Sequence, residues 1–242
     1  MIQHLLLISH VSKHFGGNVA VSDVSFAVEE KQIFGLIGPN GAGKTTLFNC
    51  ITGFFPTTSG DVIFDNKKIN TLRPDEVCKL GMARTWQRVK PLGSLTVLEN
   101  VMVGAFSITN TTREAEIIAR EQLQMVELTD YTTKSAGSLS IGLKKKLELA
   151  RVLATRPKML LLDEICGGLN HTETDIILDI IRNIRIKGAT IVFIEHDMKA
   201  VTSICDRIVV LNSGEKLAEG TPEEITNNSD VISAYLGGGH HA

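Results

Sequence analysis

Residues 38–46 read Gly38-Pro39-Asn40-Gly41-Ala42-Gly43-Lys44-Thr45-Thr46. Every fixed position of the phosphate-cradling pattern G-x-x-x-x-G-K-[ST] is filled. The flanks decide what the stretch means. Residues 32–38 are short and apolar, like a buried strand, and residues 47–53 read as a helix that stops at Gly53. Strand, glycine loop and helix together aim a row of backbone N–H groups and a helix N-terminus at an anion. The glycines let the backbone close on phosphates. Lys44 would reach the β- and γ-phosphates, and the Thr45 hydroxyl would sit on Mg²⁺. The stretch points to a chain that binds a nucleoside triphosphate.

Working outward, the rest of the chain has to build a scaffold for that loop. With 242 residues, 43% hydrophobic and 21% charged, it suits one large α/β domain carrying an inserted subdomain, or two small domains. The net charge is -2 and no long basic stripe occurs, so nucleic acid is not indicated as a partner. The densest basic run, Lys144-Lys145-Lys146, falls on a predicted helix and reads as a solvated face. Cys50, Cys78, Cys166 and Cys205 are scattered without a C-x-x-C, which suits a reducing compartment. No apolar run approaches the ~18 residues of a membrane span, so the chain is expected to have no transmembrane segment of its own. His240-His241 is too short a run to hold a metal firmly.

Residues 3–9 and 20–28 read as strands, with a turn at Phe15-Gly16-Gly17; 61–65 is another strand, and 82–87 a strand that runs into a polar loop. Residues 96–135 change character: two helices and no strand. Thr96 to Glu99 and Thr111 to Glu114 are both capping boxes. Ala115, Ile118, Ala119, Gln122, Met125 and Val126 then fall at helical spacing. We read 90–157 as a helical subdomain inserted between 1–89 and 158–242. The alternation then resumes. Strands fall at 159–163, 189–194 and 207–212, a helix at 172–187 is stopped by Gly188, and a last helix is capped by Thr221 with Pro222 at its first position. Strands alternating with helices imply an α/β fold with a mostly parallel sheet.

A second constellation separates transport-type ATPases from kinases and GTPases. Met159 to Asp163 runs straight into Glu164, placing two carboxylates where a buried strand meets the nucleotide crevice. Asp163 can hold Mg²⁺ through water, and Glu164 can act as general base on the attacking water. Gln87 closes another strand and could reach both metal and water. His196, directly after the strand at 189–194, is a candidate sensor of the γ-phosphate, able to donate a hydrogen bond while neutral.

In this order the motifs resemble an ABC transporter ATPase subunit over essentially the whole chain, as a single cassette spanning 1–242. The resemblance implies a P-loop core with an N-terminal antiparallel β part. It puts Phe15 on the adenine and makes 38–46 the Walker A loop and Gln87 the Q-loop glutamine. Residues 139–143, with Ser140 and Gly142, become the signature motif, 159–164 the Walker B strand, 167–170 the D-loop and His196 the switch histidine. The runs 51–54, 83–87, 95–104, 168–170, 195–198 and 234–237 look like the LivG-type branch, which energises uptake of branched-chain amino acids. Relatives that carry urea or short amides share much of the pattern. Several positions depart from the family: Ile141 and Leu143 in the signature, Ile165 after Walker B, and Lys31 before the loop-feeding strand.

From the resemblance follow ATP and Mg²⁺ as cofactors, two membrane permease subunits as partners, and a second ATPase chain, different or identical. A periplasmic or extracellular solute-binding protein would take part indirectly, and the chain would sit at the cytoplasmic face of the membrane. The permease contact is expected around Arg88 to Phe106. The rival readings are a nucleotide-dependent switch that scarcely hydrolyses, motivated by Leu143, and a soluble ABC protein of repair or translation.

Overall fold

In a computed structural model, residues 4–87 and 90–236 are described; Arg88, Gly237 and His240-His241 lie outside them. In chain order the elements are β1 (His4–Phe15), β2 (Asn18–Glu29), β3 (Ile33–Ile37), α1 (Lys44–Ile51), β4 (Ser59–Phe64), β5 (Lys67–Lys68), α2 (Pro74–Lys79) and β6 (Met82–Arg84). Then come α3 (Val97–Ala105), α4 (Thr112–Met125) and α5 (Ile141–Leu153). The chain continues with β7 (Met159–Asp163), α6 (His171–Ile186), β8 (Thr190–Ile194), α7 (Met198–Ile204), β9 (Arg207–Asn212), β10 (Glu215–Gly220), α8 (Pro222–Thr226) and α9 (Ser229–Leu236).

Two sheets form. One is antiparallel, in the order β2-β1-β4-β5; the other runs β10-β9-β3-β8-β7-β6. In the second, β9, β3, β8, β7 and β6 are parallel and only the edge strand β10 is antiparallel. Every residue of β3, β7 and β8 is buried, as expected when both faces of a parallel sheet are covered. The period-2 geometry of a strand sorts their side chains into two layers. Leu160, Leu162, Ile191 and Phe193 join the cluster that holds α5 and α6. Met159, Leu161, Val192 and Ile194 face the cluster shared with α1 and the antiparallel sheet. The loop between β3 and α1 therefore emerges at the edge where the two layers meet.

The helices α3, α4 and α5 lie between β6 and β7 in sequence and pack chiefly on one another. Thr96 forms the reciprocal capping box with Glu99. At Thr111 only half of the box forms: the threonine accepts from Glu114 N–H, while the Glu114 carboxylate turns to the Thr109 and Thr111 hydroxyls. The helix capped by Thr221 is not the last, because α9 follows it. Short elements escaped the sequence: α2 and α7 span too few turns to show a period, and β10 is a half-buried edge strand of mixed polarity.

Candidate active site

The phosphate loop is held by close backbone packing. A Cβ on Gly38 would sit 2.1 Å from the Leu211 carbonyl oxygen, and one on Gly43 would sit 2.5 Å from that of Ala20. Gly41 faces open space at φ +82°. The N-terminal end of α1 carries no side-chain cap and no acidic residue in its first turn, so its first N–H groups lack intrahelical acceptors. Lys44 Nζ donates to the carbonyls of Gly38 (2.8 Å) and Pro39 (3.0 Å). Burial lowers the lysine's pKa from its ordinary value, and the nearby carboxylates Glu164 and Asp163 oppose that shift.

The loop opens on a cleft of about 460 Å³. Asn40 through Thr46 line it, with Phe15, Gln87 and Glu164 reaching it from three other segments. Phe15 is partly exposed and packs edge-on against Phe55, centroids 5.3 Å apart. Gln87 Nε2 donates to Glu164 Oε2 at 2.7 Å. Glu164 itself sits at φ +49°, a left-handed conformation unfavourable for a residue with a Cβ, and its N–H donates to the Ile194 carbonyl. Asp163 is buried beside a second, adjoining groove of about 570 Å³ that Thr45 and Gln87 also line. The Thr45 hydroxyl, Asp163 carboxylate and Gln87 amide oxygen are hard oxygen donors of the kind Mg²⁺ takes.

Three expected site residues lie apart. Ser140 caps α5 by accepting from Leu143 N–H. A Cβ on Gly142 would sit 2.7 Å from Glu173 Oε1. Neither residue lines the cleft, and neither does His196, whose side chain is 61% exposed with Nδ1 3.8 Å from Glu195 Oε2.

Sequence reasoning passed over several buried charges here. Arg84, in β6, donates from Nη2 to Asp163 Oδ2 at 2.6 Å and from Nη1 to Asn49 Oδ1 at 2.6 Å. Its guanidinium lies 4.7 Å from the Trp86 ring centroid. The available signal was an arginine closing a short apolar strand that pairs with the acidic one. Lys145 corrects the expectation of a solvated basic face: it is 3% exposed and donates to the Glu164 carbonyl at 3.0 Å. Burial lowers its pKa. Glu148, one turn on, is 2% exposed and accepts from the Trp86 N–H at 2.8 Å. Burial raises its pKa. Glu195 is buried too, accepts from the Cys166 N–H at 2.7 Å, and has its pKa raised by the same desolvation.

Residues 21–167 match the family described as ABC transporter, and 215–241 the family described as branched-chain amino acid ATP-binding cassette transporter. The high-affinity branched-chain amino acid transport ATP-binding protein BraF of Pseudomonas aeruginosa is 43% identical, covering 98% of this chain and 99% of its own. LivG of Escherichia coli, described in the same words, is 40% identical with the same coverage. The crystal structure of the ADP conformation of MJ1267, an ATP-binding cassette of an ABC transporter, superposes with a TM-score of 0.89 at 31% identity. It covers 97% of this chain and 99% of that one. Nucleotide binding and an ATPase cassette thus come from fold, loop and relatives together, and the chain belongs to the ATP-binding cassette family of ABC transporter ATPases.

Proposed function

We propose that this chain binds and hydrolyses Mg-ATP to drive uptake of branched-chain or similar hydrophobic amino acids through separate permease subunits. The observation that carries the hydrolytic part is the Gln87–Glu164 hydrogen bond beside the phosphate loop, one residue from Asp163. Lys44 is held by two neutral carbonyls; phosphate oxygens offer it charged acceptors, which make stronger hydrogen bonds. The uncapped start of α1 adds its N–H groups to the same anion. Phe15 offers an exposed ring to the base. Thr45, Asp163 and Gln87 would hold Mg²⁺, which supplies charge neutralisation between the phosphates. Glu164 takes the proton of the attacking water while Gln87 orients both, and His196 reports on the γ-phosphate once it is drawn in.

Ser140 and Gly142 do not line the chain's own cleft. They serve the nucleotide of a second ATPase subunit, offering the start of α5 to its γ-phosphate. That subunit is a different chain or a second copy; Leu143, which gives this signature no side-chain amide, favours a different one. No helix among the described residues is long and apolar enough to cross a membrane, so the motion must pass to permease subunits at the cytoplasmic face. The outer part of the adjoining groove, around Trp86, Lys90 and Arg151, is the surface we assign to them. A solute-binding protein then acts only through the permeases.

The cargo rests on likeness to BraF and LivG, since an ATPase subunit never touches the solute. Labelled-leucine uptake tests it in a strain lacking other leucine carriers, with Glu164→Gln replacing the native chain. Loss of leucine uptake is expected. Unchanged leucine uptake with collapse of urea or amide uptake would replace the cargo and leave the ATPase reading intact.

A further inference from the structure

The helix α5 sends two buried charged side chains toward the core from successive turns, and both end on main-chain atoms. Lys145 Nζ donates to the Glu164 carbonyl at 3.0 Å, and the same oxygen accepts the Gly167 N–H at 3.1 Å. Glu148 Oε1 accepts the Trp86 N–H at 2.8 Å. Between those two anchor points, Gln87 Nε2 donates to Glu164 Oε2 at 2.7 Å. Helix, Gln87 segment and Glu164 turn are thus closed into one ring of hydrogen bonds.

Burying a lysine and a glutamate is costly, and an apolar pair of similar volume often serves stability as well or better. The contacts they make are therefore informative. Neither side chain bonds to the other: Lys145 fixes the backbone of Glu164, and Glu148 that of Trp86, the residue before Gln87. Glu164 sits at φ +49°, a conformation that persists only where surrounding contacts over-determine it. Lys145 holds that residue at its carbonyl, and the Ile194 carbonyl holds it at its N–H.

We infer that Lys145 and Glu148 are positioning residues for hydrolysis, setting Gln87 and Glu164 against each other from the signature helix. The inference rests on Glu164 being the general base. Mg-ATP affinity, supplied chiefly by the phosphate loop, touches this ring only through Gln87 and should change little, whereas turnover depends on both Gln87 and Glu164.

The test uses the full chain, with steady-state Mg-ATPase kinetics and equilibrium Mg-ATP binding. Lys145→Met and Glu148→Met should each lower kcat about 10- to 100-fold, the usual cost of losing an outer positioning contact. KM should stay within about 3-fold, since only uniform binding would move KM alone. Lys145→Arg and Glu148→Gln, which keep a donor and an acceptor, should recover most of the loss. In a Glu164→Gln background Lys145→Met should add less than about 2-fold, because residues acting through one group are not additive. If Lys145→Met melts below the assay temperature, Lys145→Gln, polar but too short to reach the carbonyl, carries the same expectation. Unchanged kcat, an equal further loss in the Glu164→Gln background, or a rise in KM that accounts for the whole effect would each overturn the inference. Wild-type turnover in Glu164→Gln alone is a separate result, and it would overturn the reading of the base instead.

Discussion

At the scale of single residues, the candidate site is dominated by charges that have left water and been paired. Arg84 and Asp163 form an ion pair with side chains only 5% and 3% exposed. Removing one member strands the other, at a typical cost of about 3–5 kcal/mol. Arg84→Met should therefore lower stability by that order in a denaturant titration, while Arg84→Lys should lose less. Its second effect should be on metal: with Oδ2 no longer shared, Asp163 should bind Mg²⁺ more tightly in the folded fraction. Glu148 gives a pH signature. Burial raises its pKa above 4.5, so the folded state holds this proton more firmly than the unfolded one. That contribution is fully present below about 4.5 and is lost as pH rises through the folded value. Thermal melts of wild type and Glu148→Gln should diverge as pH rises from about 4.5, with the wild type losing ground. Curves that stay parallel would mean the carboxyl is not desolvated.

At the scale of elements, one buried side chain holds the entry to the helical insertion. Asn100, in α3, has no exposed surface. Its Oδ1 accepts the Leu92 N–H at 2.9 Å, and its Nδ2 donates to the carbonyls of Leu92 (3.0 Å) and Thr96 (2.8 Å). This fastens the loop from Leu92 to Thr96 onto the helix it precedes, next to the groove assigned to the permeases. Asn100→Ala removes the acceptor of the Leu92 N–H, while the Leu92 and Thr96 carbonyls keep the Leu95 and Asn100 N–H groups as donors, so the cost is at the low end of about 1–3 kcal/mol. The expected readout is a lower denaturant midpoint at unchanged slope; a midpoint equal to wild type would show that the loop finds other partners. The asymmetry between the Thr96 and Thr111 caps belongs here too. Both sequences fit the same pattern, but Thr109 stands where it can capture the Glu114 carboxylate, so only one box closes.

At the scale of the whole molecule, the cleft offers the phosphate loop, Gln87 and Glu164 from one chain but not Ser140 or Gly142. On the function proposed above, the site is completed by a second subunit. The signature this chain would lend reads Leu139-Ser140-Ile141-Gly142-Leu143, and the proposal of a different ATPase partner rests on the side-chain amide that Leu143 lacks. Alone, with Mg-ATP, the chain should sediment mainly as a monomer and hydrolyse slowly. A tight and fully active homodimer would count against a different ATPase partner.

The sequence by itself determined the phosphate loop, the buried strands that flank it, the Asp163-Glu164 pair and the change to helices after residue 96. These are local patterns: glycine spacing, runs of apolar residues and turn chemistry act over a few neighbours and leave a readable trace. Two further things were settled only in three dimensions. One is that the middle lysine of Lys144-Lys145-Lys146, a solvated face by composition, is buried against the Glu164 turn. The other is that Arg84 is bound to Asp163, 79 positions away. Whether a charge is solvated or paired depends on which surface its helix or strand turns toward the core, and that is set by the packing of both layers, not by the neighbours along the chain.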